Sequence, residues 1–122
     1  MANPIQAACG DGRNKYHARK TVVNGITFDS GAEARDYQAL KIAEQVGAIS
    51  DLELQPVYLL QAAFLDAQGR RHRAITYRAD FRFKRDGRTI VADRKGHQTQ
   101  AYKLKAKMFR AKYPEIDFQE WT

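Results

Sequence analysis

Sulfur and imidazole ligands are scarce in this chain, which has one cysteine, Cys9, and three histidines, His17, His72 and His97. One thiol closes no internal disulfide, and the scattered histidines show no zinc spacing. A disulfide-stapled secreted scaffold and a structural zinc module are thereby excluded, and a reducing compartment is expected. Long apolar runs are missing too. The longest, VYLLQAAFL at residues 57–65, is far shorter than the roughly 20 residues of a membrane-crossing helix. The start, MANPIQAACG, lacks the basic head and apolar segment of a signal peptide, so its Ala-Ala-Cys is not read as a lipoprotein cleavage site. Neither repeats nor low-complexity tracts occur. Acids are the minority charge, 14 against 21 Lys and Arg, which leaves a net charge of +7.

What is there fits one globular domain. A chain of 122 residues, 43% hydrophobic, buries roughly two-thirds of its unfolded surface and holds a core without staples. The positive excess points to a polyanionic partner, most often nucleic acid. The plainer alternative is a protein that is basic and merely soluble.

Residues 1–15 lack periodicity and are expected to form a flexible arm, with the domain spanning residues 16–122. Val22-Val23 and Ile26-Thr27-Phe28 flank Asn24-Gly25, a pair suited to the positive-φ positions of a type I′ hairpin turn. A helix is predicted over residues 30–46. Ser30 is its N-cap, with Glu33 completing a capping box, and Gly47 is its stop. Tyr37, Leu40 and Ala43 share one face, flanked by Ile42 and Val46. Strands follow over residues 51–60, with Pro56 marking an edge or bulge, then over 75–84 and 88–95. A second helix covers residues 99–112, Pro114 breaks the chain, and residues 116–121 form a last strand. The class is α/β (α+β): a mixed central sheet with two helices, preceded by a small hairpin.

The stretch YRADFRFKRDGRTIVADRKG, residues 77–96, carries the chemistry. If Asp86-Gly87 is a two-residue turn, Arg85 faces Arg88, and the same register sets Asp80 opposite Asp93. Directly opposed residues share a face, with Cβ atoms about 4.5–5.5 Å apart. Lys95, two residues beyond Asp93, shares that face. Opposed carboxylates repel, so a structure keeps them by raising one pKa or by setting a cation between them. Magnesium suits such a place, since it takes one or two carboxylates and completes its shell with water and phosphate. The other solution is salt bridges from Arg78 and Lys95.

Two further features bear on the choice. Glu33 lies on the helix face of Tyr37 and Leu40, so it is either a third carboxylate or only a helix cap. In the second helix, Ala101, Leu104, Met108 and Ala111 read as the core stripe. Lys103, Lys107 and Arg110, with Lys105 and Lys112 beside them, form a basic stripe with no intervening acid. That stripe is either a solvated face or a track for a phosphate backbone. Arg70, Arg71, His72 and Arg73 add a basic rim at a turn.

Acid, hairpin, acid-x-Lys and then a basic helix resembles the PD-(D/E)XK nuclease superfamily. Asp80 matches the first acid, Asp93-Arg94-Lys95 the acid-x-Lys, and Glu33 the extra helical acid. From Tyr16 onward the chain also resembles a small phage and prophage family of uncharacterised nuclease-like proteins. Ala79 replaces the proline that names the superfamily. Gln98-x-x-x-Tyr102 is similar to a glutamine–tyrosine motif of one exonuclease-like branch. The resemblance implies a restriction-endonuclease-like core and magnesium-dependent phosphodiester hydrolysis, with manganese as a substitute metal. It gives Asp80, Asp93 and Glu33 as metal ligands, Lys95 as the catalytic cation, and products with a 5′-phosphate and a 3′-hydroxyl. It further implies a phage- or prophage-encoded protein in the bacterial cytoplasm. The DNA-binding candidates are Lys103, Lys107, Arg110, Arg78, Arg70, Arg71 and Arg73.

The reading that follows is a DNA endonuclease, structure-selective in the manner of Holliday-junction resolvases. A twofold homodimer would suit paired nicks at a junction. A non-catalytic DNA-binding module on the same scaffold is the alternative. A basic RNA-binding or structural protein is a third, but it lacks an aromatic-rich ribonucleoprotein motif.

Overall fold

The structure is a computed structural model that describes residues 20–122. The flexible arm expected over residues 1–15 lies outside the described residues. The chain divides into two compact units, Met1–Val46 and Gly47–Thr122.

In the first unit, β1 (Thr21–Val23) pairs antiparallel with β2 (Ile26–Phe28). Asn24 and Gly25 take φ of 53° and 77°, the left-handed values that a type I′ turn demands. Helix α1 (Gly31–Gln45) starts at Ser30, whose side chain accepts from the Glu33 N–H at 3.1 Å. It ends at Val46, followed by Gly47 at φ 82°. Glu33, Ala34, Tyr37 and Leu40 are its buried residues, and Tyr37 packs on Phe28 with ring centroids 5.1 Å apart. Ile42 and Val46, expected to flank this face, are exposed.

The second unit holds β3 (Ser50–Leu54), β4 (Val57–Gln61), β5 (Phe64–Leu65), β6 (Arg71–His72), β7 (Ile75–Arg78), β8 (Phe81–Arg85), β9 (Arg88–Arg94), helix α2 (Gln100–Lys112) and β10 (Asp117–Trp121). Its main sheet has the order β10-β9-β8-β3 and is mixed, β10 running parallel to β9 while the other pairs are antiparallel. The parallel pair follows from the crossover through α2. Ribbons β4-β7 and β5-β6 complete the unit. The protein is thus α+β, with a mixed sheet and two helices. Among the described residues no helix is long and apolar enough to cross a membrane.

Strand β9 is buried on both faces from Ile90 to Asp93. On one face Ile90 and Ala92 are paired with Phe83 and Phe81, whose rings meet Trp121 at 6.4 and 6.1 Å. On the other, Val91 joins Tyr58, Leu60, Tyr77, Tyr102, Ala106 and Phe109 in the core. Phe118, paired with Val91, packs against that cluster. Asp93, two residues beyond Val91, shares the α2-facing side.

Three further expectations are corrected. The strand expected over residues 51–60 is two strands in different sheets. Gln55 takes φ 52° and Pro56 has no N–H to give a ladder, so the chain turns there. The strand expected over residues 75–84 is likewise broken at Ala79–Asp80. At that corner Gln55 N–H donates to the Asp80 carbonyl at 2.9 Å and Ala79 N–H to the Pro56 carbonyl at 3.1 Å. The core stripe of α2 is Tyr102, Ala106 and Phe109, whereas Leu104 and Ala111 are exposed. Aromatic rings at helical spacing bury more apolar area than the Ala101–Leu104–Met108–Ala111 stripe offers.

Candidate active site

Asp86 and Gly87 have φ of 52° and 76°, so the two-residue turn forms and Arg85 pairs with Arg88. The ladder runs on to Ala92 opposite Phe81. One step further the same register sets Asp93 against Asp80. The two carboxyl groups are close enough for Asp80 to raise the Asp93 pKa.

The two acids have unequal surroundings. Asp80 is half-buried, and its Oδ2 accepts from the Arg94 N–H at 2.8 Å. Asp93 is fully buried. Its Oδ2 accepts a short hydrogen bond from the Tyr77 hydroxyl. Its Oδ1 is buried with no donor. Lys95 Nζ stands 4.0 Å from Oδ2 and lies over the Tyr102 ring, 5.1 Å from its centroid. Burial pushes the Asp93 pKa up to about 8, the Asp80 carboxyl adding to the rise, while the Tyr77 hydroxyl and the Lys95 charge oppose it. Burial and the bond to Asp93 in turn raise the Tyr77 phenol far above its ordinary range.

This donor set fits a small hard cation. Two such close carboxylates cannot both ionise without a positive charge between them. Of the cations expected to bridge the acids, Lys95 alone forms an ion pair among the described residues, and it reaches Oδ2 rather than the orphaned Oδ1. No third His, Cys, Asp or Glu of this unit joins the pair as a metal-holding group. Any cation held by Asp80 and Asp93 would need its remaining ligands from water or phosphate, as magnesium commonly does.

Glu33 belongs to the N-terminal unit, where its carboxylate side chain is buried on the first turn of α1 and its backbone N–H is capped by Ser30.

Glu120 went unnoticed in the sequence. In the parallel β9–β10 register it is the partner of Asp93, so a third carboxylate faces the same side of the sheet. Its Oε2 accepts from the Tyr102 hydroxyl at 2.6 Å and from Gln98 Nε2 at 3.3 Å, and its Oε1 from Arg110 at 3.2 Å. The Tyr102 bond, with the Arg110 bond and charge, holds its pKa below the usual glutamate value. Gln98 and Tyr102 thus converge on one carboxylate, and that fixes the ring on which Lys95 rests. A βαβ crossover between residues 88 and 121 is the signal that could have found Glu120, because it makes the last strand a parallel neighbour of Asp93.

The basic candidates separate. Lys103 and Lys107 are exposed along α2. Arg110, one turn further, is tied to Glu120 and lies over the Phe118 ring at 4.7 Å. Arg78 is exposed at the end of β7, and Arg70, Arg71 and Arg73 are exposed on and beside the β5-β6 ribbon.

No curated protein and no solved structure matches this chain. A family model described as "Protein of unknown function (DUF1064)" matches residues 13–122, and the chain belongs to that family.

Proposed function

We propose that this protein is a magnesium-dependent DNA endonuclease on a PD-(D/E)XK-type core, acting on branched DNA such as a four-way junction. The observation that carries the reading is the Asp93 carboxylate. It is fully buried, lies beside Asp80, and has one oxygen without a donor. An acid with a purely structural role at that depth usually has both oxygens satisfied. Asp80 and Asp93 would hold the metal. A magnesium ion, when bound, polarises a phosphate and lowers the pKa of a water.

The chain's own groups supply the rest. Tyr77 fixes Asp93 and favours its ionised form. Lys95, positioned by Asp93 and the Tyr102 ring, offers a cation where negative charge develops on the phosphate. Exposed lysines and arginines hold the backbone, which favours DNA shape over sequence. Glu33 enters this reading through its place on the helix face of Tyr37 and Leu40 and through the superfamily resemblance.

The test is incubation with supercoiled plasmid and with a synthetic four-way junction, with and without magnesium. Nicking or resolution that requires magnesium and is lost in Asp93→Asn supports the proposal. Binding with no cleavage under any divalent metal leaves a non-catalytic DNA-binding module.

A further inference from the structure

Residues 62–74 carry the β5-β6 ribbon, and none of them is among the buried core residues. Every residue among them except Asp66 is exposed. The ribbon is nonetheless built. Phe64 pairs with His72 and Leu65 with Arg71, and the Phe64 ring stacks on His72 at 4.6 Å. Asp66 Oδ1 accepts from the Gln68 and Arg70 N–H groups, each at 2.9 Å, and its Oδ2 meets His72 Nε2 at 2.9 Å. Asp66 is the ribbon's sole acid, and these bonds engage it internally. Arg70, Arg71 and Arg73 form no ion pair among the described residues. Leu65 is 68% exposed beside Arg71. A built, exposed and cationic ribbon is charge-complementary to a polyanion.

We propose that this ribbon is a duplex-binding arm that enters the major groove of double-stranded DNA, with Leu65 and Arg71 on the leading face and Arg70 and Arg73 on the flanking phosphates. A two-stranded ribbon fits the width of that groove. Single strands are usually held on free aromatic faces, whereas His72 covers one face of Phe64 and no other aromatic ring lies on the ribbon. The arm is continuous with the acid pair. β6 leads through Arg73 and Ala74 into β7, whose Tyr77 holds Asp93, and then to Asp80. Arg71 and Tyr77 are six residues apart, at most about 20 Å of extended chain. At 3.4 Å per nucleotide along a strand, the arm reaches phosphates up to roughly six steps from a bond held at the acid pair. The placement relative to cleavage rests on the nuclease reading; the groove binding does not.

The test is binding of the full chain, in chelator, to a labelled blunt duplex and to a single strand of equal length over a salt series. Arg70→Ala/Arg73→Ala should weaken duplex binding and shrink the slope of log affinity against log salt by roughly 1.8, about 0.9 for each phosphate no longer neutralised. It should weaken single-strand binding less. Leu65→Ala should weaken duplex binding and leave the slope unchanged. Unchanged duplex affinity, or an equal loss on the single strand, overturns the proposal. If the ribbon variants lose duplex binding while wild type cuts nothing with magnesium, the arm stands and the nuclease reading falls. If wild type cuts and the variants bind and cut like it, the arm falls alone.

Discussion

The Tyr77 hydroxyl donates to Asp93 Oδ2, while Oδ1 of the same carboxylate is buried without a donor. One oxygen is therefore fixed by the fold, and the other is left without a partner among the described residues. The hydrogen bond favours the ionised carboxylate and works against burial. Tyr77→Phe should raise the Asp93 pKa further, because it removes a hydrogen bond that favours the ionised carboxylate. Metal ligands must be deprotonated. Magnesium affinity at neutral pH should fall, and the rising limb of a pH–cleavage profile should move to higher pH. Both should approach wild type at alkaline pH. A uniform loss at every pH would mean that Tyr77 only supports the fold.

A second prediction concerns the metal-free protein. The Asp93 pKa is raised to about 8 in the folded state, against about 3.9 in the unfolded chain. Between those values the folded state keeps a proton that the unfolded chain releases. The contribution to stability is fully present below pH about 4 and is lost as pH rises through about 8. Denaturant unfolding in chelator should show wild type losing stability across that window relative to Asp93→Asn. Parallel pH dependences of the two proteins would count against a shared proton at the acid pair.

Magnesium or manganese should relieve the same repulsion. A ligand that binds only the folded state at ten times its Kd adds about 1.4 kcal/mol, or roughly 5 °C in Tm for a domain of this size. Asp80→Asn should abolish the response. It should also raise the metal-free Tm, because one of two neighbouring acids is gone. An equal rise with magnesium in both proteins would put the metal elsewhere.

Local signals account for the parts of this fold that are legible in the sequence. Asn24-Gly25 and Asp86-Gly87 fix their turns because their φ values are decided by residues in the turn itself. The second of these sets the register that brings Asp80 to Asp93. Ser30 and Thr99 cap α1 and α2 by bonds to N–H groups three residues on. Breaks in the long strands depend instead on distant partners: Gln55 and Pro56 bond across to Asp80 and Ala79, and no pattern within residues 75–84 announces that corner. The same holds for Glu120, which meets Asp93 through a parallel pairing, and for Arg110, whose partner Glu120 lies on another element. Charge spacing on a helix shows which cations share a face, but not which of them is already paired.

That pairing shapes the last prediction, which separates chemistry from binding. Lys95→Ala should abolish cleavage and leave DNA affinity nearly intact, because it removes one charge from a surface with many. Lys103→Ala/Lys107→Ala should do the reverse: affinity should fall for all sequences alike, and the salt slope should shrink by roughly 1.8 on duplex DNA. Adding Arg110→Ala should not shrink the slope further, since Arg110 is engaged by Glu120 at 3.2 Å and lies over Phe118. It should instead lower thermal stability by releasing Glu120 from one of its donors, at a cost of about 1 kcal/mol or less for so exposed a pair. Salt-dependent binding isotherms and melting curves on the double and triple variants decide between these outcomes. An extra slope change of about 0.9 in the triple variant would show that Arg110 leaves Glu120 to meet the phosphate backbone. Unchanged affinity in the double variant would make the α2 stripe a solvated face and leave DNA binding to the ribbon.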